Sequence, residues 1–138
     1  MASITRSIPL SRPATEVWDA VRDAGAVHER LAREFVVDTE LDGGTRVVTF
    51  ANGVVVRELL VSVDDEDRRI AYAVIDAPWP VAHHHASMRV IDDGTGASTL
   101  EWISDVAPDE LAGPWAEMVD QGVAAMSRTL QDGAVAAC

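Results

Sequence analysis

Between residues 34 and 106 apolar and polar positions alternate with a period of two, whereas the segments on either side repeat every three to four residues. The alternating region predicts strands at 34–42, 45–51, 54–63, 69–76, 82–92 and 97–106. They are separated by turn-forming stretches: Asp42-Gly43-Gly44, Asn52-Gly53, Asp64-Asp65-Glu66-Asp67, Ala77-Pro78-Trp79-Pro80 and Asp92-Asp93-Gly94-Thr95-Gly96. A further strand is expected at 3–10, closed by Ser11-Arg12-Pro13. Ser11 suits a helix cap and Pro13 a first turn, so a short helix over about 13–22 follows, carrying Val17, Trp18 and Val21 at helical spacing. A second short helix would hold Val27, His28 and Leu31. After Pro108-Asp109-Glu110, the residues Leu111, Trp115, Val119, Val123, Met126 and Leu130 form one helical stripe that runs to Gly133. Pro114 delays or kinks the first turn of that helix.

Strands joined by such short turns pair antiparallel, because parallel pairs need long crossovers. The expected architecture is α+β: a curved seven-stranded antiparallel sheet, two short helices after the first strand, and one long C-terminal helix across the sheet. At 138 residues the chain makes one domain, 1–138. A sheet curved around a single helix leaves a cavity between them unless large side chains fill it.

Charge and composition narrow the function. The net charge of −12 opposes binding to nucleic acid and to anionic membranes, and no apolar run is long enough to insert into a membrane. A small hydrophobic or aromatic molecule is the expected partner, with a homodimer left open. The N-terminal residues lack the apolar core of a signal peptide, so a cytoplasmic location is expected. The chain has no lysine, which leaves only the N-terminal amine for Schiff-base chemistry. Its single cysteine, Cys138, is the last residue, so neither a disulfide nor a cysteine-based zinc site is expected.

Strand alternation sorts side chains onto two faces. Glu58 and Leu60 share one face of their strand, as do Tyr72 and Val74 on the next. In the run His83-His84-His85, His84 groups with Ala86, Met88 and Val90 on the apolar face, while His83, His85, Ser87 and Arg89 share the polar one. A single strand therefore cannot aim all three imidazoles at one ion. His83 and His85 with Glu101 or Asp105 would make only an outer, wet site, and no metal is assigned. Trp102 and Trp115 are packing residues that are also able to stack on a flat ligand.

The element order, with Ser11-Arg12-Pro13-Ala14-Thr15-Glu16-Val17-Trp18 after the first strand, resembles the START/Bet v 1-like helix-grip superfamily (SRPBCC), nearest its bacterial polyketide cyclase/dehydrase-like group. The segment from Arg57 to Ile75 is also similar to a hairpin of the plant abscisic-acid receptors, although their gate and latch motifs are missing here. In those receptors the positions matching Glu58, Tyr72 and Val74 line the ligand pocket. The resemblance implies a pocket walled by Leu60, Val74, Ala86, Met88, Trp102, Trp115, Val119 and Val123, with Glu58, His84 and Tyr72 as candidate catalytic groups. It implies either cofactor-free aldol-type cyclisation and dehydration or non-catalytic binding, transport or sensing of a hydrophobic metabolite. In the first case Glu58 or His84 would be the base, Tyr72 the donor to an enolate oxygen, and protonated His84 the acid for loss of water.

Overall fold

The computed structural model describes the backbone of residues 1–137 and the side chains of residues 1–131; Cys138 lies outside the described residues. Seven strands form one antiparallel sheet: β1 (Ala2–Leu10), β2 (Val36–Asp42), β3 (Thr45–Phe50), β4 (Val55–Asp64), β5 (Arg69–Asp76), β6 (His83–Asp92) and β7 (Ser98–Ala107). The sheet order is β1-β7-β6-β5-β4-β3-β2, so β2 to β7 form a meander and β1 closes against β7. Helix α1 (Ala14–Val21) and a single wide helical turn at Val27–Leu31 lie between β1 and β2, and helix α2 (Ala112–Ala137) ends the chain. This is the helix-grip fold expected from the pattern.

The N-terminal helix starts within a residue of the expected position. Pro13, in extended backbone, is itself the cap residue and no side chain caps the helix, so Ser11 does not take the capping role expected of it. At the other end, Asp109–Leu111 make one tighter turn before α2. Pro114 then falls at the third residue of α2, where its missing N–H costs no intrahelical bond.

Burial alternates along β7, with Ser98, Leu100, Trp102, Ser104 and Val106 inward and the residues between them half-exposed. Glu101 therefore faces away from the cavity and Trp102 into it. The apolar inner face meets α2 through Trp115, Val119, Met126 and Leu130, all buried in one core with Ile8, Ile70, Leu100 and Val106. Each fully buried side chain of this kind stabilises the fold by about 1.5–3 kcal/mol. Two polar ties fix the helices on the sheet: Arg6 of β1 pairs with Asp120 of α2 at 2.6 Å, and the Trp18 indole of α1 donates to Asp65 at 2.9 Å.

Candidate functional site

The antiparallel registers place the inward residues in rows across the sheet. Arg46, Glu58 and Val74 form one row, and Leu60, Tyr72, Ala86 and Ser104 the next. Between this face and α2 lies a cavity of about 70 Å³, whose polar lining is Arg46, Glu58, Tyr72, His84 and Ser104. Pockets for drug-sized ligands run to roughly 300 Å³ or more, so this one suits a small molecule unless side chains move. Phe35 and Phe50, edge to face at 5.1 Å, and Met118 stand in its wall. Large side chains have filled most of the space that the curved sheet would otherwise leave.

Arg46 and Glu58 are buried together, at 5% and 7% exposure. The guanidinium donates from Nε to Glu58 Oε1 at 2.8 Å, and its Nη2 stands 2.8 Å from the same oxygen as the closest contact of the ion pair. Glu58 Oε2 has no hydrogen bond among the described residues. Burial pushes the Glu58 carboxyl up from its ordinary range, while the charge and hydrogen bonds of Arg46 pull the other way. The guanidinium also sits over the Tyr72 ring, 5.1 Å from its centroid. The phenol of Tyr72 accepts the Trp102 indole N–H at 3.0 Å. Burial, and then the nearby Glu58 charge, push its pKa up, so Tyr72 stays a neutral hydroxyl.

His84 sits where β5 and β6 part. Their ladder ends at the Tyr72–Ala86 pair, and the next inward amide on β5, Val74 N–H, donates instead to His84 Nδ1 at 2.9 Å. The other ring nitrogen, Nε2, lies 3.2 Å from Ser104 Oγ, which also accepts the Trp115 indole N–H at 3.0 Å. Burial, with His85 and His83 adding repulsion, lowers the His84 pKa from 6.5 to about 4. A proton on Nδ1 would also face the Val74 N–H donor. His84 is therefore neutral at ordinary pH, with both ring nitrogens engaged.

Of the residues singled out from the sequence, Glu58, Tyr72, His84, Val74, Met88, Trp102, Trp115 and Val119 all line this cavity. Leu60, Ala86 and Val123 do not. Leu60 adjoins a register shift before Ser62 that bends the end of β4, and it packs against the core instead. Ala86 is fully buried in the row between Tyr72 and Ser104, where its methyl is overshadowed by both neighbours. Val123 lies roughly 80° around α2 from Trp115 at about 100° per residue, while Gly122 and Met126 lie within about 20° of it. His83 is exposed and His85 half-exposed, both on the outer face, and His85 stands opposite Asp105. Among the described residues no group of three His, Cys, Asp or Glu side chains is placed to hold a metal ion.

The sequence reading missed Arg46 and Ser104. Ser104 was detectable, since it shares the inward face of its strand with Leu100 and Trp102. Arg46 was not, because its facing depends on the register of the β3–β4 hairpin.

A family model described as polyketide cyclase/dehydrase and lipid transport matches residues 1–137. No curated protein matches the chain. Among solved structures, the protein XoxI from Bacillus cereus superposes with a TM-score of 0.82 at 22% identity, over 96% of this chain and 95% of that one. Norcoclaurine synthase from Thalictrum flavum, a point mutant in complex with a transition-state analogue, gives 0.68 at 21% identity, over 96% and 95%. The di-domain ARO/CYC protein BexL of the BE-7585A biosynthetic pathway gives 0.75 at 18% identity, over 95% of this chain and 45% of that one. At these identities the likeness is one of fold.

Proposed function

The chain belongs to the polyketide cyclase/dehydrase and lipid transport family within the START/Bet v 1-like superfamily, and on that premise we propose that its cavity binds a small, mainly apolar carbonyl compound on which Glu58 acts as a general base. The observation that carries this reading is the half-engaged carboxylate: Oε1 is held by Arg46, while Oε2 has no hydrogen-bond partner among the described residues and lies in the wall of an apolar cavity. Burial makes such a carboxylate a stronger base than one on the surface, and Arg46 keeps its ionised form tolerable there.

In this reading Glu58 Oε2 takes a proton from the carbon beside a carbonyl, and the Tyr72 hydroxyl donates to the enolate oxygen that develops. The enolate carbon then attacks a second carbonyl of the same molecule, and Glu58 returns its proton to the new alkoxide. His84 is a poor candidate for the separate acid that dehydration needs, because it is neutral and both its nitrogens are engaged. That observation favours a second reading, in which the cavity only binds a hydrophobic metabolite for transport or sensing.

Native mass spectrometry of the purified protein would identify a retained ligand, which then serves as the probe. For a catalyst, Glu58→Gln lowers single-turnover rate by about 100-fold or more while affinity changes little. For a carrier, no turnover occurs and the same substitution weakens affinity by roughly 0.5–3 kcal/mol.

A further inference from the structure

We infer that Ser104 is a dedicated hydrogen-bond donor to a ligand's carbonyl or enolate oxygen, held in that role by His84 and Trp115 and working beside Tyr72. This deepens the proposed function and rests on its cavity.

The direction of each bond follows from groups that have no choice. A backbone amide can only donate, so His84 Nδ1, 2.9 Å from Val74 N, must be the bare nitrogen of the ring. A neutral imidazole then carries its hydrogen on Nε2, 3.2 Å from Ser104 Oγ, and donates it there. The Trp115 indole, which can only donate, reaches the same oxygen at 3.0 Å. A serine oxygen has two acceptor positions, and both are now taken. Its one hydrogen is left over, and it has no acceptor among the described residues. Ser104 is 1% exposed and lines the cavity, so that hydrogen is available only to something inside it.

Tyr72 repeats the arrangement with Trp102 in place of Trp115. Its oxygen accepts the indole N–H at 3.0 Å, and the hydroxyl hydrogen has no acceptor among the described residues. Each hydroxyl is also polarised by the donors behind it, which strengthens the bond it gives. The cavity thus presents two donors and, at Glu58 Oε2, one acceptor. This set matches an uncharged carbonyl whose neighbouring carbon carries an acidic hydrogen, and it discriminates against a hydrocarbon of the same shape, which would leave both donors unsatisfied.

Cyclohexanone and methylenecyclohexane, which differ by oxygen against a methylene group, serve as probes. The wild-type protein should bind the ketone roughly 3- to 10-fold more tightly, the range one net hydrogen bond supplies. The carbonyl stretch of bound ¹³C-labelled ketone should move to lower frequency than in an apolar solvent. Ser104→Ala should reduce the ketone preference and move the band part of the way back up, the remaining shift being that of the Tyr72 bond, while affinity for the hydrocarbon holds. An unchanged ketone preference and band in Ser104→Ala would overturn the role of Ser104 and leave the cavity assignment intact. Failure of wild type to bind either probe would overturn the cavity assignment itself. Should Ser104→Ala not fold, Tyr72→Phe decides: a band still shifted requires Ser104, and one fully restored assigns the donation to Tyr72 alone and removes the proposal.

Discussion

Truncating Arg46 to Met would leave the Glu58 carboxylate buried beside Tyr72 with no countercharge, whereas replacing both partners by apolar residues leaves no charge to desolvate. Breaking one half of a buried pair typically costs 3–5 kcal/mol, while exchanging the whole pair is often near neutral. Arg46→Met should therefore destabilise the protein more than the Arg46→Met/Glu58→Met double variant in urea titrations. A single variant no worse than the double would mean that the pair is not buried as described. His84 supplies a pH signature. Its folded pKa of about 4 lies below the unfolded 6.5, so its contribution is fully present above about pH 6.5 and is lost as pH falls toward 4. The difference is worth roughly 3 kcal/mol. His84→Gln, whose amide oxygen can still accept the Val74 N–H, should flatten the stability profile across that window. Glu58, raised by burial, contributes with the opposite sign, so the comparison must be with wild type and not with a flat line.

At the scale of elements, helix α2 packs close against Trp102 of the sheet at Gly122. A methyl group there would lie 2.9 Å from Trp102 Cζ3 and 3.3 Å from Phe35 Cε2. Alanine normally improves a helix interior by about 1 kcal/mol over glycine. Here the indole of Trp102 is tethered through its N–H to Tyr72 and cannot easily retreat, so overpacking of about 1–3 kcal/mol wins. Gly122→Ala should lower the melting temperature and disturb the near-ultraviolet signal of Trp102; a more stable variant with an unchanged spectrum would show that the helix can shift outward.

For the molecule as a whole, the split of the histidine run between faces carries a simple expectation. Only His84 reaches the interior, and it is bonded to Val74 and Ser104. Folding and ligand binding should therefore be unaffected by EDTA, as followed by circular dichroism and titration. Loss of either, reversed by zinc, would mean that His83 and His85 form a site with a neighbouring carboxylate. Zinc found only at high concentration would not count, since exposed imidazoles collect it.

The number of strands, their antiparallel pairing and the inward facing of Glu58, Tyr72 and His84 were determined by the sequence alone. These depend on the period-two pattern and on turn chemistry, which act between near neighbours. What those near neighbours cannot settle is register. A two-residue loop at Asn52-Gly53 would set Arg46 opposite Leu59 and on the face away from Glu58. Instead Phe50 N–H bonds Val54 carbonyl around three residues, and Arg46 pairs with Glu58. The parting of β5 from β6, which lets His84 accept the Val74 N–H and turn its other ring nitrogen to Ser104, likewise has no local signature. The rotation of α2 and the final cavity volume depend on how Trp102, Trp115 and Met118 share space contributed by distant segments. Local periodicity specified the faces; only packing across the sheet and against the helix decided which polar groups on those faces would meet.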